Sequence, residues 1–251
     1  MILPYVLLAL AGFGAGYVNT IAGAGSLLTL PALIFLGLDA GTANATNRIA
    51  VLAQSVAAIA TFRSGGAKDE ALGWELALPA TCAALAGAWT ATVLSDKTLR
   101  IAIAISMLVF LALSFVRPKK EDSKGREPRS PRSRTLMWVA FLGIGFYAGF
   151  LQAGVGILIL LYLTLVQGTT LIQANVTKVV VVLVLTMGAL VVFLLRGQAV
   201  DWTAGAVLSV ATAAGAFLGA QAALKRGERF IRAVLLLTVG ASAIKVLWDA
   251  L

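Results

Sequence analysis

The sequence predicts an all-α polytopic membrane protein. Of its 251 residues, 60% are hydrophobic and only 12% are charged, and the mean hydropathy is +0.94. Soluble domains carry about 25% charged residues, and a globular core of this size cannot bury so much apolar surface. Several nearly uncharged runs of about 18 to 25 residues match a hydrocarbon core of about 30 Å. We therefore expect the chain to cross a bilayer several times.

Two residue types that support catalysis and metal binding are scarce. The chain has no histidine, and Cys82 is its only cysteine. An intrachain disulfide is therefore excluded, and the commonest proton shuttle and metal ligand is missing. A hydrolase would need a histidine, paired acids or a metal set. We expect no enzyme, no catalytic residue, no metal site and no cofactor.

The formal net charge of +9 is concentrated in loops. The stretch RPKKEDSKGREPRSPRSR, residues 117–134, holds eight basic residues against three acidic ones. Short cytoplasmic loops of membrane proteins carry an excess of Lys and Arg. We interpret this stretch as a cytoplasmic loop of a protein in the cytoplasmic (inner) membrane. We do not expect a nucleic-acid partner.

That loop divides the chain into two similar halves, residues 1–116 and 136–251, joined by a basic linker at 117–135. GFGAGYVNTIAGAGSLL in the first half matches GFYAGFLQAGVGILI in the second. Later matches keep a separation of 131 residues, as in Gly25 with Gly156, Asn44 with Asn175, Thr46 with Thr177 and Phe62 with Phe193. GAWTATVLSDKTLR likewise matches GAQAALKRGERFIR. Chance similarity would not align polar residues and glycines together, so we predict a duplication.

Each half reads as five helical segments, about ten in all. The predicted segments are 2–20, 26–36, 43–62, 74–94 and 99–116, then 136–153, 157–166, 172–195, 202–224 and 230–251. The second segment of each half is too short to span, because 11 helical residues rise only about 16 Å. A Gly-x-Gly break precedes it, at Gly23–Gly25 and at Gly154–Gly156. We expect a hairpin there, followed by three spanning helices.

This arrangement makes the two halves inverted repeats. A hairpin plus three crossings places Arg63, Lys68, the central linker and the basic cluster 225–232 on the cytoplasmic side. Lys97, Arg100 and Arg196 then lie outside. Four crossings in each half would put the cluster outside, against the positive-inside rule. Paired, glycine-interrupted short segments at corresponding positions are typical of secondary transporters.

Two polar motifs interrupt the apolar sequence at matching positions. ANATNR spans residues 43–48 and ANVTKV spans 174–179, and neither Arg48 nor Lys178 has an acidic neighbour within a helical turn. An intramembrane cation usually faces a partner or a watery cavity. A cation beside amide and hydroxyl donors suits an oxyanion. The candidate substrate-binding residues here are Asn44, Thr46, Asn47, Arg48, Asn175, Thr177 and Lys178.

The glycine breaks supply further candidates. Gly23, Gly25, Gly154 and Gly156 leave backbone N–H groups free at helix starts, where anions are favoured. Asn19 and Gln152 precede the breaks at aligned positions. Three alternatives stay open: the cations snorkel to an interface, the two motif asparagines are helix N-caps, or the glycines serve close packing.

The stretch GFGAGYVNTIAGAGSLLTLPALIFLGLDAGTANATNRIAV resembles the signature of the sulfite exporter TauE/SafE family, also called the toluene-sulfonate uptake permease family. A weaker copy follows in the second half, in GFYAGFLQAGVGILI and ANVTKV. The second copy departs from the pattern, since Ile157 follows its Gly-x-Gly and Tyr162 replaces the proline. The resemblance implies a duplicated membrane transporter for sulfur-containing anions such as sulfite, sulfonates, sulfoacetate or thiosulfate.

The leading hypothesis is a secondary transporter or facilitator that moves a small sulfur-containing anion by alternating access between inverted halves. The alternatives are an exporter of another small metabolite and a non-transporting membrane assembly subunit. The expected partners are the anion and the lipid bilayer, and a homo-oligomer is left open. The sequence does not specify the anion, the direction of transport or the coupling ion.

Overall fold

A computed structural model describes residues 2–67, 70–114 and 131–250 of the chain. These residues are helical with short connections, and no β-strand occurs among them. The all-α prediction is confirmed. Most of the predicted basic linker, Lys68, and the side chains of Arg229 and Arg232 lie outside what the structure describes.

Nine α-helices follow one another in the described parts of the chain. They are α1 (Ile2–Ala22), α2 (Ser26–Phe35), α3 (Ala40–Ser64), α4 (Ala71–Val93), α5 (Asp96–Ser114), α6 (Pro131–Phe150), α7 (Val155–Leu161), α8 (Leu171–Leu195) and α9 (Trp202–Ala250). A π-helical segment, Tyr162–Val166, extends α7. The backbone of Gly227 is non-helical and divides α9 into two parts, which matches the predicted ninth and tenth segments.

Four of the described helices are long and apolar enough to cross a membrane, judged by length and composition. They are α1, α4, α8 and the first part of α9, Trp202–Gly227. Two helices of the predicted hairpins are short: α2 has 10 residues and α7 has 7. These lengths agree with a polytopic membrane protein in which the short segments do not span.

The short helices turn back along their predecessors. Leu8 near the start of α1 and Leu33 near the end of α2 belong to one hydrophobic cluster, so α2 returns along α1. Met137 in α6 and Leu163 in the π-helical segment share another cluster. Each pair of helices is therefore a hairpin, as the glycine breaks predicted.

The two glycine breaks lie against each other. Gly23 follows α1 with φ +77°, a left-handed conformation that favours glycine. A Cβ atom added to Gly23 would overlap the backbone of Gly156, and a Cβ added to Gly156 would overlap that of Gly23. The hairpin tips of the two halves thus meet backbone to backbone, at a point where no side chain fits.

The first helix of each half packs on the fourth helix of the other half. A Cβ added to Gly16 in α1 would overlap the backbone of Thr212 in α9. A Cβ added to Gly149 in α6 would overlap the backbone of Ala84 in α4 in the same way. The halves are thus interleaved rather than separate bodies, and their duplication stays a prediction from the sequence.

One detail of the sequence alignment changes. Gly87 in α4 packs on the Phe146 carbonyl, and Gly215 in α9 packs on the Phe13 carbonyl. The contacts therefore pair Gly87 with Gly215, whereas the matched segments pair it with Gly219, one helical turn later. Gly215 and Gly219 lie four residues apart on one helix face, and both contact α1, so sequence similarity could not choose between them.

Exposed cations gather at one end of the molecule. Arg134 of α6 donates to Glu75 of α4 at 2.6 Å, and Arg63 ends α3 just before α4 begins. A Cβ added to Gly65 would overlap Leu224, which brings the exposed Lys225 to the same end. Arg63, Arg134 and Lys225, three of the cations that the sequence assigned to the cytoplasmic side, therefore share one end.

Candidate substrate site

Arg48 lies inside the protein on α3. The Asp39 carboxylate caps this helix by accepting from the backbone N–H of Thr42 at 2.8 Å, which places Arg48 at its ninth residue. The guanidinium is fully buried and donates to the carbonyls of Ala148, at 3.3 Å, and Gly149. The ring of Phe193 lies 4.7 Å from the guanidinium carbon. Arg48 is thus held by α6 on one side and by an aromatic face on the other.

Lys178 lies near the start of α8, one position before the residue that aligns with Arg48. A capping box formed by Thr170 and Gln173 begins this helix, and Lys178 is its eighth residue. The ammonium donates to the carbonyls of Asn19 at 2.8 Å and Thr20 at 2.9 Å. Its third hydrogen bond, of 2.6 Å, goes to Oδ1 of Asn175. All three donors of the ammonium are therefore used within the protein.

An asparagine completes each arrangement. Nδ2 of Asn44 donates to the Phe150 carbonyl at 2.7 Å, and Nδ2 of Asn175 donates to the Ile21 carbonyl at 3.2 Å. Each cation and its asparagine thus bind three consecutive carbonyls at the end of the other half's first helix, 148–150 or 19–21. The last carbonyls of a helix lack intrahelical partners and carry partial negative charge. Two buried cations are stabilised without a carboxylate among the partners that the structure describes.

These contacts decide two of the open alternatives. Arg48 is fully buried and Lys178 is 3% exposed, so neither side chain reaches an interface by snorkelling. The N-caps of α3 and α8 are Asp39 and Thr170, so Asn44 and Asn175 are not N-caps. The third alternative holds for Gly23 and Gly156, which do serve close packing.

The remaining motif residues face neighbouring helices. Thr46 accepts from the Asp201 backbone N–H at 3.0 Å, at the start of α9. Asn47 accepts from the Thr29 hydroxyl at 2.6 Å, while its own Nδ2 is buried without a partner in the described chain. Thr177 is buried, and its carbonyl faces Gly73 of α4.

A small closed cavity lies beside Lys178, between the two glycine breaks. Its volume is about 10 Å³, room for about one water molecule. Both halves contribute to its wall. The lining residues are Asn19, Thr20, Ser26, Val51, Gln54, Ser55, Ala58, Gln152, Val155, Gly156, Lys178, Val179 and Val182.

The cavity gathers four of the predicted site residues: Asn19, Gln152, Gly156 and Lys178. The other predicted residues do not line it, and these are Asn44, Thr46, Asn47, Arg48, Asn175, Thr177, Gly23, Gly25 and Gly154. Gly25 donates its N–H to Oδ1 of Asn19 at 3.1 Å, so this backbone donor is used within the protein.

Gln152 has an unusual backbone. It is the one non-glycine residue with positive φ, +60°, in the described parts of the chain, and it is fully buried. Its side chain donates to the Thr186 hydroxyl, and its Oε1 atom has no partner among the described residues. A left-handed non-glycine residue persists only where its surroundings hold it, and such residues cluster at functional sites.

Four polar residues of the cavity were not predicted, and one of them is Thr20 near the end of α1. Ser26 begins α2, and Gln54 and Ser55 lie in the middle of α3. The signal for the last two was present, since adjacent polar residues in an otherwise apolar spanning segment are costly and mark sites. The motif ANATNR ends at Arg48, about one and a half helical turns before them.

Metal binding finds no support in this region. No group of three or more Cys, Asp or Glu side chains that could hold a metal ion occurs among the described residues. The cavity wall is made of amides, hydroxyls, one ammonium and small apolar side chains. This donor set suits an anion rather than a cation.

Comparison with known proteins agrees with this geometry. A family profile described as "Sulfite exporter TauE/SafE" matches residues 8–246. The chain belongs to the sulfite exporter TauE/SafE family. It is a membrane transporter and not an enzyme, as the sequence predicted.

Curated relatives of this transporter cover nearly its whole length. "Probable membrane transporter protein ORF9" of Sinorhizobium sp is 29% identical over 243 residues, 96% of this chain and 92% of the relative. "Probable membrane transporter protein YfcA" of Escherichia coli K12 is 27% identical, covering 94% and 87%. A "Probable membrane transporter protein" of Haemophilus influenzae is 27% identical, covering 97% and 94%. No solved structure gives a significant match.

Proposed function

We propose that this transporter moves a small sulfur-containing anion, such as sulfite, thiosulfate or an organosulfonate, across the cytoplasmic membrane. The observation that carries the proposal is the closed polar cavity beside the buried Lys178 ammonium. A buried cation without a carboxylate partner gives the cavity a positive potential, which favours an anionic occupant. The family's name supplies the chemical class of the anion.

The proposed mechanism is alternating access between the two inverted halves. The cavity lies where the hairpin tips meet, and its wall combines α1, α2 and α3 of one half with residues 152–182 of the other. With room for about one water molecule, it cannot pass an oxyanion unless the halves move apart. This geometry supports a closed state between two open ones.

The proposed orientation places the central basic linker in the cytoplasm. Arg63, Arg134 and Lys225 share one end of the molecule, next to the described end of the linker. Arg100 donates to the Leu38 carbonyl at 3.4 Å at the start of α3, at the opposite end. The positive-inside rule favours a cytoplasmic location for the end that carries more Lys and Arg residues.

A thermal-shift screen of the purified protein in detergent tests the anionic substrate. The ligands are sulfite, sulfate, thiosulfate, sulfoacetate, taurine and isethionate, with sodium chloride at equal ionic strength and neutral dimethyl sulfone as controls. A ligand at 100 times its Kd stabilises the folded state by about 2.7 kcal/mol. For a protein of this size that corresponds to a rise in Tm of about 5 to 10 °C.

We expect a rise with at least one sulfur anion and none with either control. A rise with dimethyl sulfone alone would replace the anion by a neutral metabolite. Flat curves for every ligand on folded protein, together with co-purification of a larger membrane complex, would favour the assembly subunit. Uptake of the stabilising anion into proteoliposomes then separates transport from binding.

A further inference from the structure

We propose that the anion is recognised only at the cavity beside Lys178, and not at Arg48. In this assignment Gln54 and Ser55 of α3, with Ser26 of α2, donate hydrogen bonds to the anion beside Lys178. Arg48 is a positioning residue that holds the end of α6. The inference rests on the proposed anion transport and names the residues that read the anion.

Gln54 and Ser55 are buried polar side chains without hydrogen-bond partners in the described parts of the chain. Gln54 is 5% exposed and Ser55 is 2% exposed, and both line the cavity. Neither side chain makes a hydrogen bond to another described residue. Burying an amide or a hydroxyl without a partner costs free energy that a bound ligand would recover. Ser26, 5% exposed and also without a side-chain partner in the described chain, lies on the same cavity.

The Arg48 guanidinium is enclosed by protein groups, in contrast to the Lys178 ammonium. Phe193 covers the guanidinium, and Arg48 does not line the cavity. Asn47 occupies the position that matches Lys178 in the alignment of the halves, and its Oδ1 is bound to the Thr29 hydroxyl. The environment of Arg48 is therefore packed by protein groups where that of Lys178 opens into a cavity.

The second half places no equivalent side chains on the cavity. The separation of 131 residues pairs Gln54 with Leu185 and Ser55 with Thr186. Neither Leu185 nor Thr186 lines the cavity, and the Thr186 hydroxyl accepts from Gln152. The polar wall of the cavity therefore comes mainly from the first half, and its charge comes from the second.

Binding of the anion at Lys178 can be coupled to movement of α1 relative to α8. The Lys178 ammonium uses all three donors, two of them on the carbonyls of Asn19 and Thr20 at the end of α1. An anion that accepts from Lys178 must replace at least one of its three acceptors, which are the two carbonyls and Oδ1 of Asn175. Replacement of a carbonyl loosens the end of α1 from α8, next to the break at Gly23. The ligand class is a small oxyanion with several acceptor oxygens and no bulky substituent.

The test is a binding titration in which the thermal shift is the readout, with sulfite and isethionate as probes. Three variants are compared with the wild type: Gln54→Leu, Ser55→Ala and Ser209→Ala. Ser209 is the matched control, because its hydroxyl is also buried without a described partner but does not line the cavity. Both serine variants should fold, since each removes an unpaired hydroxyl and no protein hydrogen bond.

We expect Ser55→Ala and Gln54→Leu each to raise the Kd of the binding anion about tenfold, the usual value of a hydrogen bond to a charged group. Ser209→Ala should leave the Kd within about twofold, which is below the effect of any such bond. If the wild type binds an anion and all three variants bind it equally well, the assignment of Gln54 and Ser55 is wrong, while the proposed anion binding is still supported. If the wild type binds neither probe, the inference fails together with the proposed function.

Discussion

The centres around Arg48 and Lys178 make the same kind of contacts but differ in what surrounds the cation. In both, a cation and an asparagine bind three carbonyls at the end of the other half's first helix. Arg48 is then enclosed by Phe193, whereas Lys178 lies on a cavity. The first centre is enclosed by protein groups, although Nε of Arg48 and Nδ2 of Asn47 have no partner in the described chain, and the second borders a cavity.

The difference shows how a duplicated motif can be kept and still diverge. Capping a broken helix inside a membrane is required in both halves, because unsatisfied carbonyls are costly there. This requirement explains why an asparagine and a cation occur twice. Recognition of a ligand needs only one open centre, so the polar residues lining the cavity need not be duplicated.

The largest effect is expected where the two hairpin tips touch. Gly156→Ala should destabilise the folded protein by at least about 3 kcal/mol, because a Cβ would overlap the Gly23 backbone, which cannot move aside as a side chain does. Unfolding in mixed micelles measures this. Gly143→Ala is the control, since a Cβ there meets no atom within 4 Å. Equal stability of the two variants would mean that the tips are not in contact.

Removing the cation of the packed centre should have the next largest effect. Arg48→Met leaves the Ala148 and Gly149 carbonyls unpaired, which we expect to cost about 2 to 3 kcal/mol. Arg48→Lys should recover about half of the loss, since a lysine can donate to the same carbonyls. Arg196→Met removes an exposed cation and should change little. A stable Arg48→Met protein would contradict the capping role.

A smaller effect should follow from loss of the hydrogen bond between Thr29 and Asn47, next to Arg48. Thr29→Val removes the hydroxyl that donates to Oδ1 of Asn47, which should lower the free energy of unfolding by about 1 kcal/mol. The affinity for the anion should stay unchanged, because neither residue lines the cavity. Thr90→Val, which removes an exposed intrahelical bond, controls for the loss of a hydroxyl. A weaker anion affinity in Thr29→Val would extend the recognition site to the Arg48 side.

The smallest effect concerns the loop between α3 and α4, away from both centres. The hydrogen bonds from Arg63 lower the pKa of the Glu70 carboxyl. A carboxyl with a lowered folded pKa contributes stability above its ordinary pKa and loses it as the pH falls through the lowered value. Glu70→Gln should therefore reduce the loss of stability between neutral and acidic pH. An unchanged pH profile would show that this pair contributes nothing measurable.

The sequence predicted the helices and the hairpins well because its signals there are local. Hydropathy fixes the segments, and Gly-x-Gly fixes the breaks. The start of α3 at Ala40, three residues before the predicted position, follows from the Asp39 cap, which the apolar pattern does not contain. The sequence could not show whether Gly87 of α4 aligns with Gly215 or with Gly219 of α9, because these two glycines lie four positions apart on one helix face.

The site was predicted only in part because its contacts cross between the halves. Arg48 and Lys178 were recognised as unpaired by acids, but their carbonyl partners lie 100 and 158 residues away along the chain. Backbone carbonyls leave no mark in a sequence. Gln54 and Ser55 are predictable from their polarity alone, because they lie in an otherwise apolar stretch of α3.

The most direct test of the account compares anion flux into proteoliposomes for Lys178→Met and Arg48→Lys, after both are shown to be folded. The account predicts that Arg48→Lys transports the sulfur anion at close to the wild-type rate despite its lower stability, while Lys178→Met loses transport. Loss of transport in both variants to the same extent, or in Arg48→Lys alone, would contradict the division between a packed centre and an open one.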